Sequence, residues 1–241
     1  MLLLNPLFLA GIDPIQLLVL AAGLILSLWA SSRVKGAFAK WSQVRSRAGV
    51  TGAQVARAIL QANGIADVKV EPVPGQLTDH YDPRTKTLRL SEPVYQSDSV
   101  AAVGIAAHEV GHAIQHAHRY APLQFRSAWV PVAGIGTNLG YLLLLIGLPL
   151  AYFGSPTLAW IGVVLFATTT VFTLITLPVE FDASRRALVT LQSGGVLAVD
   201  EHRGAKEVLD AAAMTYVAAA AASMMELLYF VFRLLDTQRR D

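Results

Sequence analysis

At 241 residues, 54% of them hydrophobic and 15% charged, the chain is greasier than an ordinary soluble domain, with a mean hydropathy of +0.48. A net charge of +2, with no patch in which Lys and Arg alternate with stacking aromatics, argues against a nucleic-acid surface, and the pI near 9.0 reflects bases flanking apolar segments. The absence of Cys excludes disulfides and thiolate metal ligands.

The first element expected is a transmembrane anchor within residues 1–32. Pro14 to Ser32 contains no charge, and a hydrocarbon core takes roughly 20 helical residues to cross. A cleaved export signal is the alternative, but the segment lacks a basic start and its apolar stretch is longer than usual. Arg33, Lys35, Lys40, Arg45 and Arg47 follow directly, while the first 13 positions carry no Lys or Arg. The positive-inside rule therefore leaves the N-terminus outside and the next region, 33–126, in the cytoplasm.

That region opens with a helix, strand, strand order too small for an independent core of any size. Thr51 is a helix cap, Val55, Ile59 and Leu60 share a face, and Asn63-Gly64 is a stop. Val68, Val70 and Val73 alternate as a strand ending at Pro74-Gly75. The turn-rich run Asp79 to Pro83 precedes a second short strand, Thr87-Leu88-Arg89-Leu90. Proteases commonly bind substrate as an added strand, so the Leu88 strand is the expected open edge, with an ordinary sheet strand as the alternative.

Ser97-Asp98-Ser99 then caps an apolar, small-residue run that predicts a helix from about Ser99 to Ala117. On it His108-Glu109-Val110-Gly111-His112 spells HExxH. Positions i and i+4 lie on one helix face, so two neutral imidazoles can converge on one cation with a carboxylate beside them. Zinc held by three protein ligands keeps an open position and activates water, and Glu109 is the expected general base of an amide hydrolysis.

The next 53 residues, Ser127 to Val179, are uncharged and interrupted at Gly154-Ser155-Pro156, which reads as a transmembrane hairpin over 127–179 with its turn outside. Glu180-Phe181-Asp182-Ala183-Ser184-Arg185-Arg186-Ala187 begins at the membrane exit, on the side of the first two ligands. Glu180 is the expected third metal ligand. Asp182 is the weaker claimant, or an acceptor that orients an imidazole N–H. In the last region, 180–241, Ala211 to Met225 is uncharged before Glu226 interrupts it. That tail is either a fourth span with Glu226 facing the bundle interior or a buried helix beside the catalytic residues. His116, a turn beyond His112, lies too far around the site for a first choice of ligand. His118, His80 and His202 take ordinary surface roles by default, with His80 and His202 the candidates for oxyanion stabilisation.

The stretches GIAAHEVGHAIQH, DHYDPRTKTLRLS and EFDASRRA, with the Ala-rich tail Val208 to Ala220, resemble the YugP-type neutral zinc metallopeptidases of bacterial membranes over almost the whole chain. More distantly the layout resembles the HtpX and CAAX prenyl protease group of gluzincins. The resemblance implies His108, His112 and Glu180 as zinc ligands and Glu109 as base. It departs from the distant group at Ser184, where that group carries an Asp, so the role of that Asp does not transfer.

The expected fold is mainly α: a multi-pass membrane helix bundle with a small α+β, zincin-like cytoplasmic catalytic region. The expected function is a zinc-dependent endopeptidase of the bacterial inner membrane, its site facing the cytoplasm, with a protein or peptide substrate and the lipid bilayer as partners. The alternatives are a zinc-holding membrane scaffold or regulator without turnover, and a site-2-type intramembrane protease. Against the latter stand His116, His118 and Arg119 directly after the motif and the absence of an LDG motif.

Overall fold

The computed structural model describes residues 13–239, and residues 1–12 of the expected anchor region and Arg240 lie outside them. In chain order the elements are α1 (Pro14–Ser42), α2 (Gly52–Ala62), β1 (Lys69–Val73), β2 (His80–Asp82), β3 (Thr87–Ser91) and α3 (Glu92–Tyr95). They are followed by α4 (Val100–Ala117), α5 (Ala121–Tyr152), α6 (Thr157–Ser193) and α7 (Val199–Gln238). The chain forms two compact units, one of Met1–Trp29, Arg126–Ile175 and Tyr216–Asp241, the other of Ala30–Phe125 and Thr176–Thr215.

Among the described residues, four helices, α1, α5, α6 and α7, are long and apolar enough to cross a membrane by length and composition. A helix satisfies its backbone amides internally, so apolar side chains on such a rod can face lipid at no polar cost. In the first unit the hairpin of α5 and α6 turns at Gly154, whose φ of +84° is open to glycine. Glycines let its two arms approach: a Cβ on Gly147 would lie 2.4 Å from Ala159 N, and one on Gly140 would lie 2.8 Å from Phe166 N. Without a hydrophobic drive between helices in lipid, such close backbone contact is a main source of association. Glu226 does not break the tail: α7 runs through it as one helix of 40 residues, and the Tyr141 hydroxyl donates to its carboxylate at 2.8 Å.

The second unit is built around α4. Thr51 and Gln54 close a capping box on α2, and Ser99 Oγ accepts from Ala102 N at the start of α4. Val55, Ile59 and Leu60 of α2, Leu88 and Leu90 of β3, and Leu191, Val208 and Leu209 of α6 and α7 bury against α4. Fourteen of the 18 residues of α4 are buried, which its Ala and Gly content allows because neighbours can press close on every side.

The sheet has the order β1–β3–β2, β1 pairing parallel and β2 antiparallel to β3. This corrects the expectation of an open edge at Leu88. β3 is the central strand, both its faces of hydrogen-bonding groups are taken, and Leu88 is fully buried. The edges beside it are β1 and β2, and β2 lies in the segment whose Asp and Pro content reads as a turn. His80, Tyr81 and Asp82 pair with Arg89, Leu88 and Thr87 across the loop 83–86, in which Lys86 takes a φ of +50°.

Candidate metal centre

The HExxH helix presents His108 and His112 one turn apart, their ring centroids separated by 4.9 Å and their planes close to perpendicular at 86°. Both rings turn Nε2 toward the same carboxylate oxygen: Glu180 Oε2 lies 3.3 Å from His108 Nε2 and 3.5 Å from His112 Nε2. The three donors lie within 4.8 Å of one another and can hold a metal ion. The Glu180 side chain is 3% exposed and each imidazole 12%, so the donors face a nearly closed interior.

Glycine 111 explains how α6 comes so near. A Cβ there would sit 2.6 Å from Ala183 O, so the α4 backbone lies directly against the turn of α6 that carries Glu180. The two variable positions inside HExxH are thus not neutral spacers, since Val110 is buried in the core and Gly111 is the contact surface.

Each imidazole is also held from behind. His108 Nδ1 meets Ser184 Oγ at 3.0 Å, and His112 Nδ1 meets Gln115 Oε1 at 3.1 Å. Ser184 is one helical turn past Glu180 and occupies the place where an Asp role did not transfer. Gln115 is fully buried, and its Nε2 donates to Val179 O at 2.8 Å and to Asp182 Oδ2 at 2.9 Å. Asp182, the weaker ligand candidate, lies outside the metal-capable group. Its carboxylate accepts from Gln115, Arg185 and Arg186 and reaches His112 only through Gln115. Neither Gln115 nor Ser184 is marked by the sequence, since neither residue type carries a metal signal. Their positions, three past His112 and four past Glu180, are where a helix brings a partner to each candidate ligand.

Three of the other histidines are engaged elsewhere. His116 Nδ1 pairs with the Tyr81 hydroxyl at 2.8 Å, His80 Nδ1 with Thr78 O at 2.8 Å, and His202 Nε2 with Leu188 O at 3.2 Å. Burial pushes the Tyr81 phenol up to about 12, so it stays protonated at neutral pH and can donate to His116.

Glu109, 8% exposed, feels competing fields. Burial penalises its charged form and dominates, raising the carboxyl above the ordinary glutamate range, while His108 and His112 pull it down and Glu180 and Asp79 push it further up. The His112 imidazole is raised on balance: burial opposes its charge, but Glu180 and Glu109 favour it.

Two imidazole nitrogens and one carboxylate oxygen are the donor set of a catalytic zinc with an open position, so the residues fit that ion. Residues 16–235 match the family model described as "Putative neutral zinc metallopeptidase". The chain is 49% identical over 215 residues to "Putative membrane protease YugP" of Bacillus subtilis (strain 168), an alignment covering 89% of this chain and 94% of that protein. No solved structure matches the chain significantly. With four apolar helices among the described residues, this is a membrane protein whose cofactor is zinc, and it belongs to the zinc peptidase family carrying that neutral metallopeptidase description.

Proposed function

We propose that the chain is a zinc-dependent endopeptidase that hydrolyses peptide bonds of protein substrates at the cytoplasmic face of the bacterial inner membrane. The observation that carries this is the convergence of His108, His112 and Glu180 from two helices onto one point, with Glu109 next to it in sequence and electrostatically coupled to all three. The small sheet packed against the HExxH helix supports a zincin-like catalytic region.

In this reading His108 and His112 would hold the metal through Nε2 and Glu180 through a carboxylate oxygen. Zinc, when bound, supplies a Lewis acid that polarises a carbonyl and brings the pKa of water down to about 7. Glu109 accepts a proton from the attacking water and delivers it to the leaving amine nitrogen, which departs neutral as the C–N bond breaks. The near-closed interior excludes bulk water, which strengthens each of these electrostatic contacts. A carboxyl raised by burial is a better base than one in solvent and matches this task.

Glu109→Gln is the test. The variant is expected to keep stoichiometric zinc, because no ligand is altered, and to lose roughly 100-fold or more of its activity on an unfolded protein substrate. Full proteolysis in that variant would overturn the assignment of the base. Zinc bound by the wild type without turnover on any peptide would favour the scaffold reading.

A further inference from the structure

Behind the three candidate ligands lies a side chain whose hydrogen bonds leave it no alternative orientation. Gln115 is fully buried on α4, one turn past His112. Its Nε2 faces two groups that can only accept: the carbonyl of Val179 at 2.8 Å and the carboxylate of Asp182 at 2.9 Å. Asp182 is itself held as a carboxylate by ion pairs with Arg185 and Arg186. Turning the amide over would set Oε1 against both acceptors, so its two N–H groups are committed and Oε1 must point the other way.

Oε1 meets His112 Nδ1 at 3.1 Å, and an amide oxygen can only accept. His112 therefore carries a proton on Nδ1, which leaves Nε2, the atom turned toward Glu180 Oε2, as the nitrogen that can bind an ion. We propose that Gln115 is the positioning residue of the metal centre. Its amide fixes the metal-binding tautomer of His112 and, through Val179 and Asp182, ties the helix of the first two ligands to the helix turn that carries the third. The same amide thus sets both which imidazole nitrogen faces the ion and where Glu180 stands.

His108 is treated differently. Its partner, Ser184 Oγ at 3.0 Å, can donate or accept, so it orients the ring without selecting the tautomer. The two imidazoles are thereby unequal, and the clamp sits on His112. Metal-binding histidines commonly lean on such partners, and removing one typically costs roughly 10–100-fold in metal affinity.

This inference rests on the reading of His108, His112 and Glu180 as zinc ligands, and the experiment separates the two. The full chain in detergent, labelled with 15N-histidine, is titrated with zinc against a competing chelator, and two-bond 1H–15N correlations report which nitrogen of His112 is protonated. The wild type is expected to bind one zinc per chain with His112 protonated at Nδ1. Gln115→Met, which keeps length and apolar volume, is expected to lower zinc affinity roughly 10–100-fold and to expose the Nδ1 proton to rapid solvent exchange. A role in packing alone would leave that proton signal unchanged. Wild-type His112 protonated at Nε2, or Gln115→Met with unaltered affinity and an unaltered Nδ1 proton, would overturn the proposal. A wild type that takes up no zinc would overturn the metal centre instead, with the metal-free spectrum still reporting on the clamp.

Discussion

At the scale of single residues, the second unit places carboxyls in and around the candidate centre, and half-buried Asp79 is one case. Its carboxylate receives Ser91 N–H at 2.8 Å and the Ser91 hydroxyl, yet burial outweighs both and raises it above the ordinary aspartate range. A carboxyl raised on folding contributes stability that is complete below its unfolded value and is lost as pH rises through its folded value. Asp79→Asn cannot ionise but still offers an oxygen to Ser91 N–H. Its unfolding midpoint, followed by fluorescence of the four tryptophans, should therefore gain on the wild type as pH goes from about 4 to about 7. A variant that loses ground over that range would refute the direction given for Asp79. Glu109 is raised by the same cause, and Asp79, which holds Ser91 at the end of β3, adds to that shift.

At the scale of elements, two contacts decide the site: the α4–α6 approach at Gly111 and the sheet against α4. A methyl at Gly111 would meet backbone, not a flexible side chain, 2.6 Å away. Gly111→Ala is expected to cost about 1–3 kcal/mol of stability and to weaken zinc binding, because Ala183 stands between Glu180 and Ser184. Gly36→Ala on α1 is the matched control, since a Cβ there meets nothing within 4 Å. It should be neutral or stabilising by about 0.4–1 kcal/mol. Equal zinc affinity for the two variants, by chelator competition, would remove the steric argument.

Local physics explains which elements are legible in the sequence. The caps at Thr51 and Ser99, the stop at Asn63-Gly64 and the turn at Gly154 each depend on a few adjacent residues, and the structure has all of them. β2 escaped because three residues carry no periodicity, and its partner strand, not its own composition, makes it a strand. The same division holds at the site. His108 and His112 announce themselves by spacing and Glu180 by its place at the end of an apolar run. The duties of Gln115 and Ser184 depend on how α4 meets α6, which spacing on one helix cannot express.

At the scale of the whole molecule, the chain carries an asymmetric distribution of bases: five between Arg33 and Arg47, more at Arg185, Arg186, Arg203 and Lys206, and none in the turn at Gly154. With the positive-inside rule this supports a cytoplasmic HExxH region and an external hairpin turn. The absence of native Cys makes a clean test possible. In intact cells an impermeant thiol reagent should label Ser155→Cys, in the exposed hairpin turn, and leave Ser193→Cys, at the exposed end of α6, unlabelled until the membrane is opened. The reverse pattern would invert the threading.

The sheet order bears on the form in which a substrate arrives. With β3 occupied on both sides, the strand beside the HExxH helix with a side left to fill is β2, whose Tyr81 is bonded to His116 a turn beyond His112. A strand edge rewards a partner with free amides, and a helix has none to give, since its own are already spent. For a protein substrate of the kind proposed, the polypeptide would have to unravel before it is cut. Resistance to cleavage would then track how firmly the target segment holds its coil, more than which side chains flank the bond.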